Sequence, residues 1–493
     1  MKEKVLFSVF LSLLMLLAIS PRVSVEAATP ERFPLYAGQH TLVGEVLVWN
    51  DGENLHVKYT ITESGWYLVE THLEVATNLG DIPQTRNGNP IPGHFTYKNE
   101  SHTFGTTEYT YVIPLENWEK GDELYIAAHA EVVKVDEVTT GNLVYNGDFE
   151  IPDIPYGEWN IFDSSVVGWG IEWYDGSETY NGYTRPETPL LEIHDHALGF
   201  DAYSGDQYAE LDTDWDGPHG SLNGEPASVK IYQNLEVDYG GYDEYLPPYT
   251  CDLSYAWRPR TSDSQMEVYW GGSLIASHAD SGYEWHHEEI SGLTLDGITE
   301  LAFIETGTPD SLGMFLDAVN VTCNGYAVVQ EETAWADGTR FVEKGNWGMY
   351  FTYTVQGWEL IDTIEVPSTT PEPTSTNVDL EAGHLYKIEA VGTYFFRHEG
   401  SPSGYLADAE WAYRNDAYGT GWTKGDDYPN SNGLDLCIND DSTNIDWGPL
   451  NEDTHTYSIT YIPTATGPIS FFIRDSYYGD NSGSLMVYIY EWK

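Results

Sequence analysis

The segment Leu55-His56-Val57-Lys58-Tyr59-Thr60-Ile61 alternates apolar and polar side chains. This period of two is typical of a β-strand that buries one face. The same alternation recurs at 230–235 and 484–490, and Gly, Asn, Asp and Pro separate such runs along most of the chain. Helical periodicity is nearly absent. We therefore predict an all-β protein that contains several β-sandwich or jelly-roll domains in tandem, one of them inserted in another.

The length and charge of the chain narrow its function. Its 493 residues predict about three domains. Asp and Glu number 79 against 21 Lys and Arg, a formal net charge of -58, which repels phosphates and argues against nucleic acid as a partner. A high-salt habitat and a set of calcium sites are both open as causes of this acidity. Disorder is disfavoured, since 14% of the residues are aromatic and 41% are hydrophobic.

The N-terminal segment 1–27 has the order of a secretory signal peptide. Lys2 and Lys4 precede an apolar run over Val5–Ile19, and small residues follow near Ala27. The run is shorter than the ~20 residues that span a bilayer. We predict cleavage near Ala27, with an uncleaved N-terminal anchor as the alternative. The mature protein is expected to be secreted, extracellular or at the cell surface, with no membrane span.

Cysteines and sequons fit an exported protein. Cys251 and Cys323 fall in one candidate domain, where export permits a disulfide, although two separate buried thiols are an equally good interpretation. The sequons at Asn99 and Asn320 are candidate N-glycosylation sites.

The first module spans 29–135 and contains strand-like runs around a loop rich in Pro, Gly and Asn at 82–90. It resembles a β-module that recurs in secreted archaeal and bacterial surface proteins. The sequence segments 130–133 and 327–330 look like two copies of one inter-module junction. We therefore predict that 326–357 completes the first module and that a second module is inserted at the junction, because domains tolerate insertion where the termini of the guest lie close together. A short independent connector is the alternative.

The second module spans 143–324. It opens with Val144–Glu150 and closes with Phe315–Val321. The order of these segments resembles that in the galactose-binding-like jelly rolls of carbohydrate-binding modules. The resemblance implies a structural calcium ion that joins the first and last strands. Its expected ligands are Glu150, Asp206 and Asp317.

The third module spans 358–493 and ends in a loop in which Asp475 leaves one strand while Asp480 and Asn481 precede the next. Carboxylate, amide and carbonyl oxygens are the ligands of Ca²⁺. The loop resembles that of the PA-IL type calcium-dependent galactose-binding bacterial lectins, which implies that these three residues bind calcium and that a sugar docks there. The family's His-Pro-Asp-Gln-Gly stretch is replaced by 428–433, so galactose preference does not carry over. An acidic turn without an ion is the alternative.

No nucleophile elbow, zinc-protease motif or phosphate-binding glycine loop occurs in the sequence. We expect a calcium-dependent, lectin-like protein without catalytic activity whose partner is carbohydrate. A structural or adhesion protein of the envelope, with envelope proteins as partners, and a polysaccharide hydrolase or lyase are the alternatives. Sugars offer apolar faces that stack on aromatic rings, and rings near loops are the candidates: Trp169, Trp173, Tyr174 and Trp215 in the second module, and Trp411, Trp422 and Tyr428 in the third.

Overall fold

The computed structural model describes residues 30–219, 226–279, 282–397, 405–416, 419–428, 433–439 and 445–493. Within them the chain is nearly all β and forms several separate sheets, which confirms the predicted fold class. The predicted signal peptide, 1–27, lies outside the described residues. Among the described helices, none has the length and apolar character needed to cross a membrane.

The first module packs its strands around a main apolar core and contains a second, smaller apolar cluster. The alternating segment 55–61 lies in the third strand, where its apolar residues are buried and its polar residues are half-buried. The strands are β1 Glu31–Ala37, β2 Thr41–Asn50, β3 Asn54–Ile61, β4 Trp66–Ala76, β5 Tyr97–Asn99, β6 Glu108–Pro114 and β7 Glu123–Thr139. Two 3-10 turns, Leu79–Asp81 and Pro92–His94, lie between β4 and β5.

The first module also receives strands from much later in the sequence. Strand β21, Met314–Ala336, is 23 residues long. Its second half pairs with β7 from Gly325↔Val138 onward and its last residues pair with β1. The strands β22 Thr339–Arg340 and β23 Met349–Thr354 extend the same sheet through β7. The chain therefore leaves the first module along β7 and returns along its neighbour β21, which places 326–354 in the first module's sheet.

Two large sheets form the second module, with an apolar core between them. The strands are β8 Trp159–Phe162, β9 Gly170–Trp173, β10 Thr179–Tyr180, β11 Tyr183–Thr184, β12 Leu191–Asp195, β13 Gln207–Glu210, β14 Asp212–Asp214, β15 Pro226–Glu236, β16 Tyr249–Pro259, β17 Met266–Trp270, β18 Ser273–His278, β19 His286–Leu295 and β20 Ile298–Glu305. One large sheet has the order β8-β12-β13-β21-β16-β19, the other contains β9, β14, β15, β17, β18 and β20, and β10 and β11 form a separate two-stranded sheet. A short helix, α1 Ser164–Val167, and a 3-10 turn, Ala197–Gly199, complete the module.

A disulfide joins Cys251 and Cys323. These residues are register partners on the neighbouring strands β16 and β21. Cys323 lies two residues before Gly325, where β21 begins to pair with the first module. The bond therefore fixes the jelly roll close to the junction between the two modules. Cys437, in the third module, is a buried free thiol.

The third module has its own core and three small sheets. Its strands are β24 Trp358–Pro367, β25 Thr374–Ser375, β26 Tyr386–Val391, β27 Tyr394–Phe395, β28 Leu406–Ala407, β29 Trp411–Asp416, β30 Gly419–Lys424, β31 Leu436–Ile438, β32 Thr456–Tyr461, β33 Ser470–Ile473 and β34 Ser484–Trp492. Two 3-10 turns, Gly425–Asp427 and Tyr478–Asp480, complete it. The segment 367–376 is rich in Pro, Ser and Thr and lies inside this module, because β24 pairs with β34 and β25 pairs with β33.

Candidate functional site

The candidate site lies on the outer face of the jelly-roll sheet that contains β12, β13, β21 and β16. Leu191 and Ile193 on β12 belong to the apolar core. Because side chains alternate along a strand, Glu192 and His194 point to the opposite face. On that face Glu192 stands beside Glu210 of β13, and His194 stands beside Tyr208. The outer face of this sheet therefore carries charged and aromatic groups rather than aliphatic ones.

Four side chains form what we call the buried ionic network: Glu192, His194 and Glu210, which are buried, and Arg260, which follows β16 and is half-buried. The Nε2 atom of His194 lies 2.7 Å from Oε1 of Glu192 and 3.1 Å from Oε2 of Glu210. The guanidinium of Arg260 donates to both oxygens of Glu210, at 2.7 and 2.6 Å. Burial opposes the charged imidazole, but the hydrogen bonds to the two carboxylates outweigh it and raise the pKa of His194 to about 9. The network thus pairs two anions with two cations.

The spacing of Glu192, His194 and Glu210 also suits a metal ion, since one ligand atom from each lies within 4.8 Å of the others. Arg260, however, occupies both oxygens of Glu210, and the backbone N–H of Gly313 donates to one of them. His194 and Arg260 already contact the two carboxylates. We therefore interpret the network as an ion-pair structure that holds β12, β13 and β16 together.

Aromatic rings cover the network. The ring of Tyr208 packs against His194 at 5.1 Å and against Phe315 at 4.7 Å. Phe200, from the loop after β12, meets Phe315 at 5.2 Å, and Trp285 meets Tyr208 at 5.8 Å. Two loops thus fold over the face, one before β13 and one before β19.

Three rings at the outer end of this layer form an aromatic patch: Tyr203, Trp285 and His287. Tyr203 stacks on His287 with ring centres 5.8 Å apart and an angle of 12° between the planes. Its contact with Trp285 is edge-on at 6.0 Å. Tyr203 is 45% exposed, Trp285 is half-buried and His287 is exposed. The indole N–H of Trp285 donates to the carbonyl of Asp201, which fixes the ring.

The predicted calcium ligands of the jelly roll meet at the turn that carries Tyr203. Asp317 is fully buried and accepts the N–H groups of Tyr203 and Ser204. Glu150 accepts those of Asp206 and Gln207. Gly205 has a positive φ, and a Cβ there would overlap the Glu150 carboxylate.

Two of the three predicted calcium ligands therefore face one turn with their carboxylates. Burial, with a smaller contribution from the charge of Glu150, raises the pKa of Asp317 to about 7. Two carboxylates beside one exposed turn are a suitable set of oxygen ligands for a cation. The side chain of Asp206 is exposed, and its contact with Glu150 is through the backbone.

In the third module the structure brings Asp475 and Asn481 together. The amide nitrogen of Asn481 lies 2.9 Å from Oδ2 of Asp475 and 2.7 Å from the carbonyl of Ser368. The other amide atom, Oδ1, is buried and has no hydrogen-bond partner. The amide N–H group of Asn481 therefore donates to both oxygens, and calcium binding by Asp475, Asp480 and Asn481 stays a prediction. Asp480 lies half-buried in the 3-10 turn immediately before Asn481.

The prediction that Trp169 contacts a ligand was wrong. Trp169 is fully buried in the jelly-roll core, where its indole N–H donates to the carbonyl of Asn146. Trp215 and Tyr428 are also buried, so they do not offer a ring face at the surface either. Residues 429–432, the rest of the stretch compared with the lectin sugar site, lie outside the described residues.

The other predicted rings keep some exposure, and ligand contact by them stays a prediction. Tyr174 is 52% exposed. Trp173 is half-buried beneath the guanidinium of Arg185. Trp411 and Trp422 are half-buried as well.

The two glycosylation sequons lie in different settings, and their use stays a prediction. Asn99 is half-buried at the end of β5, where its amide contacts His102 at 3.3 Å. Asn320 is half-buried within β21 and is the register partner of Ser254.

Sequence reasoning missed the network and the aromatic patch. The signal was present in Leu191-Glu192-Ile193-His194 and in Gln207-Tyr208-Ala209-Glu210, where polar and apolar residues alternate. Such alternation predicts a strand with one polar face but places that face in solvent. It does not reveal that loops from 196–206 and 282–285 cover it.

Comparison with known proteins gives only weak likenesses. No family model and no curated protein matches the sequence. Among solved structures, the K3 adhesin domain of Lys-gingipain from Porphyromonas gingivalis is 15% identical, with a TM-score of 0.21 over 38% of this chain and 99% of that chain. The tandem CBM22 domains of Paenibacillus barcinonensis Xyn10C are 10% identical, with a TM-score of 0.19 over 72% and 91%. A carbohydrate-binding module of the β-sandwich superfamily is 11% identical, with a TM-score of 0.16 over 60% and 98%. All three TM-scores are far below 0.5, so the function has to be argued from the site.

Proposed function

We propose that this protein is a secreted, non-catalytic, calcium-dependent glycan-binding protein. The observation that carries the proposal is the aromatic patch, in which three rings are held together on the outer face of the jelly-roll sheet. Tyr and Trp combine a large apolar face with a polar tip, which suits the alternating apolar and hydroxyl surfaces of a sugar. Export is supported by the disulfide between Cys251 and Cys323.

A binding function is favoured over hydrolysis because the two neighbouring carboxylates, Glu192 and Glu210, already have basic partners. A glycosidase needs two carboxyl groups on either side of the bond that it cleaves. Glu192 and Glu210 are buried, and His194 and Arg260 already pair with them. Neither carboxylate is therefore available to a polymer at the surface.

Calcium dependence is supported by the link between Asp317 and the patch. Asp317 and Glu150 hold the turn 203–207 through its N–H groups, and Tyr203 belongs to that turn. A calcium ion on these carboxylates would neutralise them and stabilise the same turn. The second proposed site, at Asp475 and Asn481, follows the lectin resemblance of the third module.

The first prediction concerns the aromatic patch. Tyr203→Ala and Trp285→Ala should each weaken binding to the glycan selected on an array by about tenfold, which corresponds to roughly 1.4 kcal/mol. Tyr183→Ala removes another exposed ring of the jelly roll and should leave the affinity unchanged. Calorimetric titration of the full chain, with calcium and with chelator, measures the effect.

Each alternative function gives its own result in this experiment. Loss of an array signal on chelation supports the calcium-dependent proposal. Release of reducing ends from a polymer contradicts it in favour of a hydrolase, and release of unsaturated products does so in favour of a lyase. Capture of envelope proteins without any glycan signal contradicts it in favour of an adhesion role.

The second prediction concerns calcium itself. An ion that binds only the folded state stabilises it by about 2.7 kcal/mol at 100-fold excess over Kd, so calcium should raise the melting temperature. Asp317→Asn should remove the calcium-induced rise in the melting temperature of the jelly roll. Asp475→Asn should remove one binding event from the calorimetric titration with calcium. Exposed Glu116→Gln serves as the control of matched charge change. Equal melting temperatures of the wild type in calcium and in chelator would show that the proposed ions are absent.

A further inference from the structure

Among the described residues, no carboxylate serves as a counter-ion to Arg258, although the protein has a net charge of -58. It lies on β16 as the register partner of Phe315, on the same outer face as the buried ionic network. Its guanidinium stands 4.8 Å above the ring of Phe200, and its Nε atom is buried with no hydrogen-bond partner. Among the described residues, no carboxylate lies within 4.0 Å of it.

A nearby arginine, Arg260, does have a carboxylate partner, so the lack of one is specific to Arg258. Arg260, two residues further along, donates to both oxygens of Glu210. Asp and Glu outnumber Lys and Arg by 79 to 21, so a surface arginine is readily paired. A half-buried guanidinium without an anion loses hydration and gains nothing in return, unless a ligand supplies the anion.

The surroundings indicate which kind of ligand supplies it. Phe200, which lies under Arg258, packs on Phe315, and Trp285 of the aromatic patch meets Phe315 at 6.3 Å. The patch and the guanidinium therefore belong to one continuous layer of rings, in which Phe315 and Phe200 lie between Trp285 and Arg258. The planar fork of arginine binds carboxylate and sulfate oxygens in pairs.

We propose that Arg258 selects glycans that carry an acidic group, either a uronate carboxylate or a sulfate. The inference rests on the proposed function, since it names the class of glycan that the patch binds. In the network beneath the rings, two basic side chains face two carboxylates. The chain as a whole repels polyanions, but this repulsion is screened beyond a Debye length of about 8 Å at physiological ionic strength. Short acidic oligosaccharides are therefore the expected ligands.

The test compares charged and neutral ligands on the full chain at fixed salt and calcium. The probes are a short oligogalacturonate, a low-molecular-weight dextran sulfate and uncharged dextran of the same length, and the first two distinguish carboxylate from sulfate. We expect the wild type to prefer a charged probe to dextran by at least about tenfold, the equivalent of one charge-assisted contact. Arg258→Gln should remove this preference and leave dextran binding as it was.

Arg185→Gln is the matched control, because Arg185 also stacks at 4.8 Å on an aromatic ring of the jelly roll but donates to the carbonyl of Asp175. It should keep the preference. Arg258→Lys keeps the charge without the paired donors and should show an intermediate loss, which carries the test if the glutamine variant fails to fold. Equal affinity of the wild type for charged and neutral probes, or an unchanged preference in both Arg258 variants, overturns the inference. Binding of neutral glycans alone overturns this inference but leaves the proposed function intact, whereas a protein that binds no glycan on the array overturns both.

Discussion

Arg260→Met is expected to destabilise the jelly roll by about 3–5 kcal/mol, because it leaves Glu210 as a buried charge with one cation fewer. Glu210 is fully buried, and its two oxygens accept from Arg260 at 2.7 and 2.6 Å. Methionine keeps much of the apolar volume of the arginine, so the loss is mainly electrostatic. Urea unfolding followed by tryptophan fluorescence measures it.

Arg32→Met is the control for this variant. Arg32 also pairs with a glutamate, Glu45, at 2.6 Å, but its side chain is 61% exposed. An exposed pair contributes only about 0–1 kcal/mol. The double variant Arg260→Met/Glu210→Gln removes the charge of the carboxylate as well and should recover part of the stability. If Arg260→Met is as stable as Arg32→Met, the network is not what holds these strands together.

The fold follows from the sequence to a large extent, because β-strands leave a local pattern. The alternation over Leu55–Ile61 predicts β3, where each apolar residue is buried. The segments 130–133 and 327–330 lie on β7 and β21, which pair with each other, and the insertion at this point stays a prediction. A strand can be predicted because the burial of one of its faces imposes alternation on neighbouring residues.

The site follows from the sequence only in part. Glu150 and Asp317 meet at one turn, as the phrases that open and close the jelly roll predict. The choice of aromatic residues failed at Trp169 because a flat ring fills a β-sandwich core as well as it binds a sugar. The buried network was not predicted because acidic residues are almost always exposed unless they are paired. The partners of Glu192 and Glu210 are His194 and Arg260, and the cross-strand and long-range contacts that join them cannot be derived from a single sequence.

Removal of the disulfide, in Cys251→Ala/Cys323→Ala, is expected to cost about 4 kcal/mol, which is the chain entropy of closing a loop of this length. The two cysteines are 72 residues apart in sequence and face each other across β16 and β21. Because β21 continues from the jelly roll into the first module, we expect those two modules to lose stability together, while the third module keeps its melting transition. Differential scanning calorimetry resolves these transitions. Reductant should reproduce the effect in the wild type and have none in the double variant, which retains Cys437. An unchanged first transition in both experiments would show that the strand pairing alone holds the junction.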